Sequence, residues 1–140
     1  MKDTIEVIKG GEKILAIILH ADFNEPGVHF FTPEEFPQQL GFIRHQEGEI
    51  VQAHIHQAMK REIELTQETI LVKKGRVKVN LYDSARRYVD SRVLAEGDVM
   101  LLSAGGHEMK FLEETELIEI KQGPYLGKED KVRFQGIEES

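Results

Sequence analysis

Residues 68–82, ETILVKKGRVKVNLY, give the clearest indication of strand structure in the chain. Polar and apolar side chains alternate over residues 76–82, and residues 69–73 form a short apolar run, as in sheets. Lys74 and Gly75 separate the two runs, and glycine is typical of the turn between neighbouring strands. This stretch therefore predicts two strands, over residues 69–73 and 76–82, joined by a turn.

Short strand-like runs separated by turn residues continue on both sides of this pair. The other predicted strands cover residues 5–9, 12–19, 28–31, 41–45, 49–56, 87–94, 98–102, 108–112 and 116–121. Thr32 can cap a single helical turn that begins at Pro33 and ends at Pro37. Short strands at such even spacing favour an all-β barrel or sandwich with a few short helical turns.

Length and composition restrict the class of protein. The 140 residues are enough for one domain, and the absence of cysteine excludes disulfides, zinc fingers and thiol nucleophiles. A net charge of −7 argues against nucleic-acid binding. The longest apolar run, residues 14–19, is too short to span a membrane, and no secretory signal opens the chain. We therefore expect a cytoplasmic protein that binds neither nucleic acid nor membranes.

The most informative chemical pattern is the histidine pair in Gly48-Glu49-Ile50-Val51-Gln52-Ala53-His54-Ile55-His56. Residues two apart in a strand point to the same side of the sheet. A strand over residues 49–56 would thus present His54 and His56 on one face, where two imidazoles can bind one metal ion. By itself the pair is a weak signal, because a solvated strand can also carry two histidines.

Together with the residues that follow, this pattern resembles the cupin superfamily. The positions that match its first motif are Gly48, His54, His56, Glu68 and Gly75, and those that match its second are Gly97, Gly105 and His107. The resemblance covers about residues 42–120, with 123–140 as a C-terminal extension, and implies a single-domain jelly-roll barrel over residues 1–140. It also implies one divalent transition metal ion (Fe, Mn, Ni, Co or Zn) held by His54, His56, Glu68 and His107.

The carboxylate ligand is less certain than the histidine pair, since the spacing departs from the family pattern. Eleven residues separate His56 from Glu68, where the family usually has three or four. Glu62 and Glu64 share strand parity with Glu68 and remain alternative ligands. Glu68 is favoured because its distance from Gly75 matches the motif.

The second motif departs from the family at Ser103, which replaces the usual proline, and at His107, which comes one residue early. A shift of one residue would send the side chain to the other face of the sheet. A tight turn or bulge at Gly105 and Gly106 could absorb the shift. Otherwise Glu108 would point inward in place of His107.

Three imidazoles and one carboxylate leave positions on the metal open to a substrate. The resemblance therefore implies a metal-dependent enzyme acting on a small polar or anionic substrate, such as an isomerase of sugars or sugar nucleotides. The alternatives are a mononuclear iron dioxygenase, a non-catalytic small-molecule-binding module, and a structural protein with an empty site.

Basic and aromatic residues suggest where a substrate would bind. Lys60 and Arg61 lie in the inserted segment, and Lys121 ends the last strand, so they could bind a phosphate or carboxylate. The alternative interpretation is that they are ordinary surface residues. Tyr125 follows a Gly-Pro turn and is the candidate catalytic residue for proton transfer.

The N-terminal hairpin, residues 5–19, suggests a homodimer. Its apolar run, residues 14–19, would be prone to aggregation if it were left uncovered. Members of the family that the sequence resembles often pair through strands at the edge of the barrel. We therefore expect this hairpin to contribute to an interface with a second copy.

Overall fold

The structure, a computed structural model, describes residues 4–138 and is built almost entirely from strands. The ten strands are β1 (Ile5–Gly10), β2 (Lys13–Leu19), β3 (Gly27–Phe30), β4 (Gly41–Arg44), β5 (Glu68–Lys74), β6 (Arg76–Tyr82), β7 (Tyr88–Ala95), β8 (Val99–Leu102), β9 (Gly106–Phe111) and β10 (Glu116–Lys121). No helix in this part of the chain has the length and apolar character needed to cross a membrane.

The strands form three antiparallel sheets. The largest has the order β1-β2-β8-β5-β10, a second has the order β7-β6-β9, and β3 and β4 form a hairpin of their own. The prediction of an all-β fold is confirmed. None of the sheets formed by the described residues closes into a barrel, because each keeps two edge strands that pair on one side only.

A hydrophobic core lies between the two larger sheets. Side chains at alternate positions of each strand point to one face, and the core takes its members from such positions. They include Ile70 and Val72 of β5, Val77, Val79 and Leu81 of β6, and Met100 and Leu102 of β8. The remaining buried members are Ile8, Leu15, Ala16, Ile18 and Leu94. The alternating pattern of residues 76–82 is thus explained by burial of one face.

The outer face of the largest sheet is also covered at its centre, although Val7, Ile118 and Ile120 are exposed towards its edges. The expected dimer through the N-terminal hairpin stays a prediction. β2 lies between β1 and β8, and its residues 15–19 are all buried within the chain. Ile17 and Leu101 are register partners on the face opposite the core, and both are fully buried. The run at residues 14–19 is apolar on both faces because both faces are covered, so it needs no second copy to shield it.

A single turn is present at the position predicted after Thr32, but Thr32 does not cap it. Pro33 and Phe36 close a single turn with a backbone hydrogen bond of 3.1 Å, and no helix follows. The Thr32 hydroxyl donates to the Gln39 side chain at 2.7 Å, so it does not cap a helix. The one helix within residues 4–138 is the short 3-10 element at Gly127–Glu129.

The predicted strand over residues 49–56 is absent. Residues 45–66, which we call the arm, contain no regular structure, and all of them are exposed. The hydrogen bonds of the arm stay within it, as between the Glu49 amide and the Gln46 carbonyl. A strand needs a neighbour for its backbone groups, and no described strand pairs with the arm.

A substitution at Gly105, in the turn before β9, tests the fold at this point. Gly105 has a φ of +74° and lies against the backbone of Tyr82, so a Cβ there would be both strained and in contact with backbone. Gly11 has a φ of +66° with open space around it. We expect Gly11→Ala to lower the free energy of unfolding by about 1 kcal/mol, from backbone strain alone. Gly105→Ala should cost about 3 kcal/mol, because overpacking adds to the strain.

Urea unfolding followed by circular dichroism measures both values. Equal losses for the two variants would contradict the close approach of Gly105 to Tyr82, which sets the start of β9.

Candidate functional site

A cavity of about 670 Å³ lies where β5, β9 and β10 meet the C-terminal segment. Its lining comes from Thr66 and Glu68, from the turn at residues 83–86, from residues 105–109, from Lys121, and from residues 130–136. The cavity therefore lies at the edge of the two larger sheets that ends in β9 and β10. Its lining is rich in charged side chains of both signs.

A direct contact between Glu68 and His107 crosses this cavity from one sheet to the other. The Nε2 atom of His107 lies 2.7 Å from Oε1 of Glu68, and the side chains are 30% and 17% exposed. Glu68 begins β5 in the largest sheet, and His107 lies on β9 in the second sheet. The structure thus brings together two of the four predicted metal ligands.

Hydrogen bonding fixes the charge of Glu68. The His107 side chain lowers the pKa of this carboxyl group from its usual 4.5 to about 2, against the opposing effect of burial. Glu119 lies on β10 and shares a hydrogen bond with Glu68, which raises the pKa of Glu119. The hydrogen bond from His107 thus favours the ionised form of Glu68 in the cavity.

His107, and not Glu108, points toward Glu68. Glu108 lies on the opposite face of β9, where its carboxylate accepts hydrogen bonds from Asn80 at 2.9 Å and Tyr82 at 2.8 Å. Burial raises the pKa of Glu108, but these donors outweigh it and the net shift is downward. β9 pairs with β6 without a register irregularity, so the left-handed turn at Gly105 sets which face His107 occupies.

The histidine pair lies on the arm. The rings of His54 and His56 are 5.2 Å apart, and both residues are exposed. Glu62 and Glu64 are exposed on the arm as well. Within residues 4–138 no three His, Asp or Glu side chains are grouped so that they could hold one metal ion. The predicted ligands are thus found as two separate pairs, one on the arm and one in the cavity.

The predicted substrate-binding residues are divided in the same way. Lys121 lines the cavity and forms an ion pair with Asp130 at 3.2 Å. Lys60 and Arg61 are exposed on the arm and do not line the cavity. Tyr125 is 82% exposed and lines a smaller neighbouring cavity of about 160 Å³, with its ring 5.8 Å from Nζ of Lys121.

The C-terminal segment, residues 130–138, packs against the second sheet, and we call it the strap. Phe134 packs edge-on against Tyr82 with ring centroids 5.0 Å apart. The Ile137 amide donates to the Tyr82 hydroxyl at 2.8 Å, and Glu138 pairs with Lys78 at 3.1 Å. These contacts hold the strap over the cavity, so part of the lining comes from residues remote in sequence.

Three cavity-lining cations were not predicted from the sequence: Arg86, Lys131 and Arg133. Within residues 4–138 none of the three forms an ion pair. The Arg86 guanidinium lies 5.9 Å from the ring centroid of Phe134. Lys131 and Arg133 are two residues apart, so an extended segment would present both on one side, and this spacing could have indicated an anion-binding pair. Nothing in the sequence indicated that the strap would fold over the cavity.

Comparisons of the chain with protein families, with curated protein sequences and with solved structures give no significant match.

The contact between Glu68 and His107 makes stability depend on pH. Because the pKa of Glu68 is lower in the folded chain, its contribution is fully present above pH 4.5 and is lost as the pH falls through about 2. We expect Glu68→Gln to lower the free energy of unfolding by about 2 kcal/mol near neutral pH, the magnitude of a hydrogen bond to a charged group. The difference from wild type should shrink as the pH approaches 2.

Urea titrations across this pH range measure the difference. Glu113→Gln is the matched control, since Glu113 forms an exposed ion pair with Arg76 and should change stability by less than about 0.5 kcal/mol. A Glu68→Gln effect that is the same at every pH would contradict the lowered pKa.

Proposed function

We propose that this chain is a cupin-type β-sandwich protein that binds a divalent transition metal ion and a small anionic molecule. The observation that carries the proposal is the contact between Glu68 and His107 inside a cavity lined with cations. Carboxylate and imidazole are ligands that Fe, Mn, Ni, Co and Zn accept. The match of Gly48, His54 and His56 to the first cupin motif supports the same assignment.

Within a single chain the predicted ligands do not fit a four-ligand site. Glu68 and His107 are in contact in the cavity, whereas His54 and His56 remain on the exposed arm. Two protein ligands hold a transition metal weakly compared with the three or four that are usual. The arm must therefore reach a cavity before a complete site exists.

The charges around the cavity support an anionic ligand. Arg86, Lys131 and Arg133 line it without ion-pair partners among the described residues, and Lys121 adds a fourth cation that is shared with Asp130. Arginine and lysine at one concave site are suited to bind phosphate or carboxylate. A cavity of about 670 Å³ is within the range of small-molecule sites.

The substrate class that best combines these features is a phosphorylated sugar or a sugar nucleotide. A sugar carries hydroxyl groups that bind beside Glu68 and His107, and its phosphate would be bound by the cations of the strap. Isomerisation of such a compound is the reaction we propose. A turnover screen with sugar nucleotides separates this activity from binding without catalysis.

The metal content of the purified chain tests the first half of the proposal. We expect about one equivalent of a transition metal per chain, prepared without a histidine tag and measured by elemental mass spectrometry. His54→Ala/His56→Ala should lose it, because neutral imidazoles are the main nitrogen donors available. The control His29→Ala/His45→Ala removes two histidines outside the predicted ligand set and should keep the metal. A wild-type chain that stays empty after reconstitution would contradict metal binding.

Titration calorimetry with a nucleoside diphosphate sugar tests the second half. We expect Lys131→Ala/Arg133→Ala to weaken binding by about a hundredfold, since each charge-assisted hydrogen bond contributes about 1.5–3 kcal/mol. Lys9→Ala/Lys13→Ala removes the same net charge at exposed positions of the N-terminal hairpin and should have little effect. Equal loss of affinity in both double variants would show that net charge, and not the cavity, attracts the ligand.

A further inference from the structure

The part of the arm that carries the histidine pair has the composition of a strand with one apolar side. In an extended conformation Val51, Ala53 and Ile55 lie on one side, and the other side carries Ile50, Gln52, His54 and His56. Val51 and Ile55 are 60% and 90% exposed, and Ile50 is 87% exposed. The apolar side of a strand is normally packed against other residues. The side opposite the histidines therefore needs a covering surface.

Residues 59–66 of the arm continue the same tendency, with Arg61 as the charged exception on the apolar side. Met59, Ile63 and Leu65 lie on one side of an extended segment, and all three are exposed. Lys60, Glu62, Glu64 and Thr66 occupy the other side. Exposed apolar side chains in this number mark an interaction surface.

The two larger sheets offer unpaired edges that fit such a strand. β9 pairs only with β6, and β10 pairs only with β5. Exposed edges of this kind are templates for a further strand. The opposite side of the sandwich is already joined by side chains, since Arg92 of β7 donates to Glu6 of β1 at 3.1 Å. The side that ends in β9 and β10 is joined by the contact between Glu68 and His107 and contains the cavity, and we call it the open side.

We propose that the arm of one chain adds as a strand to the β9 edge of a second copy, and that the second copy returns the same interaction. Among the described residues the arm makes no hydrogen bond outside itself, and its apolar side needs cover, which a second copy provides. A two-fold exchange buries both arms and both edges at once. Residues 45–66, rather than the N-terminal hairpin, then form the dimer interface.

The exchange completes the metal site, and this part of the inference rests on the proposed function. His107 lies on β9, next to the edge that the arm would join, and contacts Glu68. A suitable register places His54 and His56 of one chain on the cavity face, beside Glu68 and His107 of the other chain. Each cavity is therefore shared between two copies, which explains why one chain separates its ligands into two pairs.

A complementation experiment tests the sharing. Two variants, His54→Ala/His56→Ala and Glu68→Gln/His107→Ala, are co-expressed with different histidine-free tags, and the mixed dimer is isolated by both tags. If the arm acts on the other chain, this dimer has one intact site and should hold about half the wild-type metal content. If the arm supplies its histidines to the cavity of its own chain, each of the two sites lacks either the histidine pair or the pair of Glu68 and His107. An empty mixed dimer beside a metal-bearing wild type would therefore overturn the proposal.

A cross-link tests the arm independently of metal. The chain has no cysteine, so Ala53→Cys on the arm of one chain and Lys110→Cys on β9 of another are unique thiols. A short bismaleimide should join the two tagged chains, and Lys13→Cys in place of Lys110→Cys should not be joined. If the wild type binds no metal, the proposed function fails while this cross-link still supports the exchange. If no mixed cross-link forms and light scattering finds a monomer, the exchange itself is wrong.

Discussion

The contact between Glu68 and His107 connects the two larger sheets where no backbone pairing connects them. β5 and β9 belong to different sheets, and the 2.7 Å contact joins them beside the edges at β9 and β10. Around it lie Glu119, whose pKa is raised by its hydrogen bond with Glu68, and Lys121, which is paired with Asp130. Both residues of this contact line the cavity, so the shape and the charge of the cavity depend on it.

The two sides of the sandwich are held in different ways. On the closed side Glu6 accepts hydrogen bonds from Arg92 and contacts His20 at 2.8 Å, and although burial raises the pKa of Glu6, these partners lower it overall. On the open side the contact between Glu68 and His107 joins the sheets, and charged residues line the cavity beside it. Concentration of charge at an unclosed end is the arrangement expected of a ligand site, where polar groups must stay accessible.

Much of the fold could be predicted because it depends on local patterns. The alternation in residues 76–82 defined β6 to the residue, and the glycine after Lys74 located the β5–β6 turn. These two features need only the period of a strand and the conformational freedom of glycine. The expectation that Glu68 and His107 lie together came instead from the resemblance to the cupin motifs.

The remainder depends on partners that are distant in sequence. Residues 49–56 have the pattern of a strand, but a strand forms only where another strand offers its edge, and the pattern does not say which chain supplies it. The apolar run at residues 14–19 was expected to need a second copy to cover it. On the outer face of the sheet, however, Ile17 and its register partner Leu101 are already buried within the chain. Lys131 and Arg133 line the cavity only because Phe134 and Ile137 anchor the strap to Tyr82.

Hydrogen exchange of the arm amides tests most directly whether the arm is the missing strand of the sandwich. We predict that the amides of residues 49–56 exchange at least about a hundredfold more slowly than in an unstructured chain, and that this protection decreases on dilution as the dimer dissociates. Exchange of these amides at the rate of an unstructured chain, at every protein concentration, would contradict the account.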